Sequence, residues 1–141
     1  MSLRIIACLL CDATRPEIAG KTTVLGFYGV LPNATVQVAQ LELPLPGLCF
    51  LVQSEQIGAD GAATVRLRVQ APDGTELVRL KYDNVALREG RSVLAGFNIT
   101  PFSFVGPGKY MVFVDVDEVE SFRTSFGVER MPPETVNALR F

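Results

Sequence analysis

The first chemistry the chain offers is a pair of thiols, Cys8 and Cys11, in the spacing Cys-x-x-Cys. That spacing serves a zinc knuckle or a redox couple when it sits on a turn or at a helix start. Ile5-Ile6-Ala7-Cys8-Leu9-Leu10-Cys11 contains no Gly or Pro to make such a turn. It reads as an extended segment, where residues three apart point to opposite faces with Cα atoms roughly 10 Å apart. A disulfide tolerates at most about 7 Å, so neither a bridge nor a shared metal is expected. Cys49, the third thiol, leaves any four-sulfur site one ligand short. All three are expected to be small buried residues, and no metal or cofactor is assigned.

Three charged groupings come next. Asp12, Arg15, Glu17 and Lys21 share one loop. Asp12, Arg15 and Lys21 could form a polar site at one end of a sandwich, where binding loops gather, and could run proton transfer on an anionic substrate. The structural alternative has Asp12 bonding its own turn and Arg15 pairing with a nearby acid. Arg66, Arg68, Arg79 and Lys81 fall on one side of two alternating segments. Like charges about 5 Å apart repel unless answered, so this face either docks an acidic protein or ligand or finds acids on the adjoining strand. Single-stranded nucleic acid would want aromatics among the cations, and this face has none. Asp115, Asp117, Glu118 and Glu120 cluster in a late turn. One turn cannot offer the 6–8 converging oxygens that calcium takes, and edge protection explains the acids.

The chain has no histidine. That removes Ser-His-Asp hydrolysis, Cys-His proteolysis and His-ligated metal sites. A net charge of −2 gives no global attraction to nucleic acid. No run reaches the ~18 apolar residues of a membrane span. Only Ile5 to Ala7 precede Cys8 as an apolar run, too few for the 7–15 residues a leader needs, so a cytoplasmic location is the expectation.

The elements that must position these groups are strands. "TVRLRVQ" and "TELVRLKY" alternate with period two around "APDG" (71–74), in which Pro72 presets φ and Gly74 suits a bulged hairpin. Val78, Leu80 and Tyr82 are expected to face inward with Val65, Leu67 and Val69. Further strands are expected over Leu3–Cys11, Thr22–Leu31, Leu48–Gln56, Ser92–Thr100, Lys109–Val116 and Ser121–Val128, about eight in all at sandwich spacing. "LELPLPGL" (41–48) reads as a crossing between sheets. Pro132 and Pro133 could open a short C-terminal helix carrying Val136 and Leu139. Met111 and Phe113 make the Lys109 segment apolar on both faces, to be covered by "VNALRF" or by a second copy in a homodimer. Tyr110 is expected to be buried with its hydroxyl turned back to the backbone. The fold expected over residues 1–141 is a single all-β domain, an antiparallel β-sandwich, Ig-like or C2-like, with that helix at its end.

Cys11-Asp12-x-x-Arg15, then Gly20-Lys21 and "TTVLGFYGVL", resembles the opening of an uncharacterised bacterial family with a "CD…R…GK…G" start and a small β-sandwich body. The segment from Gly106 to Glu129 is similar to the closing hairpin of such sandwiches, with Glu118-Val119 where Asp-Gly is common. The resemblance implies the fold and brings no substrate. The functional expectation is a non-catalytic binding or accessory module for a protein or small ligand. The alternative is a small enzyme acting through Asp12, Arg15 and Lys21.

Overall fold

Alternation of apolar and polar residues over short runs builds nine strands in the computed structural model, which describes residues 2–132. They are β1 (Ser2–Pro16), β2 (Thr22–Val30), β3 (Thr35–Val38), β4 (Leu48–Ile57), β5 (Gly61–Gln70), β6 (Glu76–Leu87), β7 (Ser92–Ile99), β8 (Gly108–Val116) and β9 (Val119–Arg130). Four form one sheet in the order β2-β1-β4-β7 and five form the other in the order β3-β9-β8-β5-β6. The fold is an all-β sandwich. The segment 41–48 crosses between its sheets as expected, with Leu45 bridged to Phe102 on the way.

Two elements differ from the sequence expectation: β1 continues past Cys11 to Pro16, and β3 is new. β3 is an added strand, and it runs parallel to β9, with Thr35 opposite Gly127 and Val38 opposite Arg130. Four residues are too few for a clear alternation, and a parallel partner lies far away in sequence. The short C-terminal helix and the cover supplied by "VNALRF" fall on residues outside those described.

Side chains from the inner faces of both sheets make one core. Cys8, Leu10, Phe50, Val52 and Phe97 come from the four-stranded sheet, and Val36, Leu67, Val69, Val112 and Phe126 from the other. Val65, Leu67 and Val69 lie opposite Tyr82, Leu80 and Val78 across the β5–β6 ladder, so all six share the inner side. β6 is the edge, so Leu80 and Tyr82 stay partly exposed. Tyr82 nevertheless packs tilted against Phe97, with centroids 4.9 Å apart, and donates its hydroxyl to the Gly96 carbonyl on β7. The turn at 71–74 is the bulged one expected: the Gly74 N–H donates to Ala71 O at 2.9 Å, with Gly74 at φ 89°.

Tyr110 is fully buried. Its hydroxyl donates to Gly106 O at 2.7 Å and accepts the Val105 N–H at 2.8 Å. The Phe102–Pro107 corner is thereby tied to β8 by one side chain.

Candidate functional site

Pairing of β5 with β6 sets Arg66 opposite Lys81 and Arg68 opposite Arg79. The structure thus brings the four predicted cations together on the outer face of the five-stranded sheet. The next strand answers them. β8 sets Asp115 opposite Arg66, and its carboxylate is buried. Oδ2 accepts Arg66 Nε at 2.8 Å and Arg68 Nε at 2.7 Å, while Oδ1 accepts a terminal Arg68 nitrogen at 3.0 Å. Burial pushes the Asp115 carboxyl up, but the hydrogen bonds and charges of Arg68 and Arg66 outweigh it and hold the group below the usual carboxylate range. Arg79 pairs with Glu76 at 3.1 Å and Lys81 with Asp83 at 3.5 Å. Contrary to the expectation of a face without aromatics, Phe113 stands opposite Arg68 and lies under the Arg68 guanidinium at 4.7 Å and the Arg123 guanidinium at 5.1 Å. Beside them Thr64, Arg66, Lys81, Asp83, Asp117 and Glu118 line a depression of about 350 Å³ that carries both signs of charge. Among the described residues no group of three or more Cys, Asp or Glu could hold a metal ion.

The N-terminal charged group is not the single loop expected: β1 runs on to Pro16 and carries Asp12 and Arg15 as strand residues, and only Glu17 and Lys21 lie between β1 and β2. Arg15 Nε donates to Glu17 at 2.7 Å, as the structural alternative anticipated. Lys21 lines a depression with Glu17, Ile18, Thr22 and Thr23. Asp12 lines a different cavity, of about 540 Å³, with Ala13, Tyr28, Leu45, Pro46, Gly47 and Thr100. Asp12 Oδ1 accepts the Tyr28 hydroxyl at 3.0 Å. Its carboxylate packs on Gly26, where a Cβ would come within 2.0 Å of Oδ2 and where φ is 61°. A non-glycine residue at position 26 would displace Asp12 and strain the backbone at once. Gly26 and Asp12 therefore act as a lock between β1 and β2. Burial and the Asp12 hydrogen bond push the Tyr28 phenol up to about 12.

Cys8 and Cys11 point to opposite sides, Cys8 into the core and Cys11 to the outer face, and all three thiols are free and buried. The neighbour of Cys11 is Cys49, its direct partner across the β1–β4 ladder. The Cys11 thiol points to Cys49 O at 3.7 Å, and Thr14 Oγ1 lies 3.9 Å from Cys49 Sγ. Burial, then the neighbouring Cys49 thiol, pushes Cys11 up to about 12.

The surface that sequence reasoning missed is the outer face of the four-stranded sheet. Register places Val30, Leu9, Leu51 and Gly96 in one row, Phe27, Cys11, Cys49 and Asn98 in the next, and Leu25 and Ala13 beyond them. Leu94 stands opposite Gln53 on the same side. Leu25 (45%), Phe27 (56%), Val30 (45%) and Leu94 (47%) are all about half exposed. Leu51 and the two cysteines are sunk between them. Charge appears at the ends of this face only, as Arg4–Glu55 and Arg15–Glu17 pairs. The usable signal was the run Cys8-Leu9-Leu10-Cys11, apolar on both parities, which marks a strand with two apolar faces.

Three comparisons bear on this geometry. The model of a family of unknown function (DUF6941) matches residues 6–129. No curated protein matches the chain. Among solved structures, the C-terminal domain of Wzt superposes with a TM-score of 0.53 at 14% identity, over 92% of this chain and 75% of that one. An alkylpurine DNA glycosylase, AlkC of Pseudomonas fluorescens, gives 0.49 at 12% identity over 70% of this chain, which spans 28% of the glycosylase. An immunoglobulin-like protein from Pseudomonas aeruginosa gives 0.39 at 15% identity, over 92% and 98% of the two chains. The likeness to the Wzt domain speaks to the sandwich fold alone.

Proposed function

The chain belongs to that family of unknown function, and we propose that it is a non-catalytic interaction module whose contact surface is the outer face of the four-stranded sheet. One observation carries the reading: Leu25, Phe27 and Val30 on β2 and Leu94 on β7 stand about half exposed at the two edges of this sheet, on either side of a buried floor of Leu51, Cys11 and Cys49. Scattered apolar residues on a surface need no explanation, but a contiguous apolar patch rimmed by polar groups marks an interaction site. The patch has the anatomy of an interface, apolar at its centre with charge confined to the rim.

The basic hairpin face supports the role of partner dock less well. Arg66 and Arg68 are taken up by Asp115, Arg79 by Glu76 and Lys81 by Asp83. An acidic partner would have to displace bonds already made. The enzyme reading through Asp12, Arg15 and Lys21 draws no support, because Asp12 and Lys21 line separate cavities and Arg15 is paired with Glu17.

A photo-crosslinking residue tests the choice of face in the full-length chain. Placed at position 27 or 94 in cells, it should give protein adducts, and at position 79 on the opposite sheet it should give none. Adducts at 79 with none at 27 or 94 would move the interface to the basic face.

A further inference from the structure

Resting on that reading of the face, we infer that its partner is a second copy of the same chain, the two four-stranded sheets packing against each other across a two-fold axis. The argument begins with area. Leu25, Phe27, Val30 and Leu94 each leave about half of a large side chain in water, and Ile6, bulged out of β1 between Ile5 and Ala7, is 42% exposed. The four residues on β2 and β7 present on the order of 400 Å² of apolar surface, the size of the largest patch on a typical monomer, which is often functional. A stable interface buries roughly 800 Å² per partner, of which about 56–65% is apolar. The face therefore offers close to the apolar share of one standard interface, and an identical face offers the matching share.

Charge argues in the same direction. The floor between the two edges, Leu9, Cys11, Cys49, Leu51, Gly96 and Asn98, with Thr14 lying over Cys49 and Gly96, carries no ionised group. A charged peptide would lose its hydration there and find no counter-ion. The flanking charges, Arg4 with Glu55 and Arg15 with Glu17, are already neutralised in pairs. Two copies can thus approach without like-charge repulsion, and in an isologous contact each patch meets its own complement. Sheets pack face to face at about 10 Å through such apolar faces.

Light scattering after size exclusion, across a range of protein concentrations, reads the inference. Wild type is expected to show twice the 15.3 kDa of the chain. Phe27→Asp and Leu94→Asp sit on different strands and alter half-exposed side chains. Each should weaken the dimer by roughly thirtyfold or more with an unchanged circular dichroism spectrum. Leu43→Asp, an exposed apolar site next to the Glu42–Arg130 pair, should leave the dimer intact. A dimer that survives both face variants, or a protein that is monomeric throughout, overturns the inference. In the monomeric case an anilinonaphthalene dye separates the two failures. Brighter dye on wild type than on Phe27→Asp would leave the face open for a different protein, while equal dye binding would remove the interaction reading as well.

Discussion

The two outer faces of this sandwich use their residues in opposite ways. On the five-stranded sheet, Arg66, Arg68, Arg79 and Lys81 form the most eye-catching cluster in the sequence, yet the fold supplies each with an acid. On the four-stranded sheet the thiols Cys11 and Cys49 are buried, yet the fold leaves Phe27, Val30, Leu25 and Leu94 about half exposed. A charged cluster on a sheet is satisfied by its neighbours in the ladder, at contact distance. An apolar face is satisfied only by another layer. The unanswered demand, more than the conspicuous one, points to a partner.

The largest way to break the comparison is at Asp115. Asp115→Asn leaves two guanidiniums facing a neutral amide, and removing one partner of a buried pair costs about 3–5 kcal/mol. Arg66 and Arg68 keep 24% and 18% side-chain exposure, so a loss near 3 kcal/mol is expected in urea melts. Arg66→Glu combined with Arg68→Glu should also destabilise, where a free surface would move by less than about 0.5 kcal/mol. If the double variant is as stable as wild type, those arginines are a spare docking surface after all.

Acid gives the same test without mutation. The folded Asp115 carboxyl titrates below its unfolded value, which lies near 3.9. In the window below that value the unfolded chain binds the proton first, so stability falls as pH falls through it. The contribution of Asp115 is complete above about pH 5 and gone once the pH is below the folded-state pKa. The stability difference between wild type and Asp115→Asn should therefore shrink on acidification, and a constant difference would deny the ion pair its role.

Tyr110→Phe probes the inner side of the same strand. It removes the partner of both the Val105 N–H and the Gly106 carbonyl, and a buried group left unpaired costs about 1–3 kcal/mol. The corner before β8 should exchange its amide hydrogens faster in the variant. A neutral substitution would mean that water replaces the hydroxyl and that the corner is open.

What the sequence disclosed and what it hid divide along one line. Tyr110, the hairpin around Pro72–Gly74 and the opposite faces of Cys8 and Cys11 depend on local alternation and turn chemistry, and were legible. The Cys11–Cys49 pairing, the placement of Asp115 under Arg66 and Arg68, and the parallel β3–β9 pair depend on register between distant segments. Asp115 reads as one of four acids near a turn, and only the β5–β8 ladder makes it a buried ion-pair partner. The placement of Asp12, Arg15 and Lys21 depends on register as well. The three read as one loop, but β1 runs on to Pro16, so Asp12 and Arg15 stand on a strand, Lys21 lies just before β2, and Asp12 and Lys21 line different cavities.

A smaller effect sharpens the reading of the charged face. Asp117 and Glu118 occupy the two-residue loop between β8 and β9 with φ of 50° and 68°, the left-handed region. A non-glycine residue there costs about 1–2 kcal/mol, and glycine returns roughly 0.5–1 in chain entropy. Glu118→Gly should therefore stabilise by about 0.5–1 kcal/mol, seen as a higher urea midpoint. Glu118 also lines the 350 Å³ depression on that face. A variant that is more stable but loses association in cells would restore the depression as a contact site.

The smallest expected stability change falls on the apolar face, and it decides most. Phe27 is 56% exposed, so Phe27→Asp should move the stability of an isolated chain by less than about 0.5 kcal/mol. A dimer adds a second term, because association stabilises the folded state by mass action and makes its melting temperature rise with concentration. Wild type should show that rise, and Phe27→Asp should show a flat dependence that meets wild type at high dilution. Were Phe27→Asp instead to cost about 3–5 kcal/mol at every concentration, as truncating a core phenylalanine does, the ring would be covered within its own chain. Both faces would then be satisfied internally, and the contrast between them would vanish.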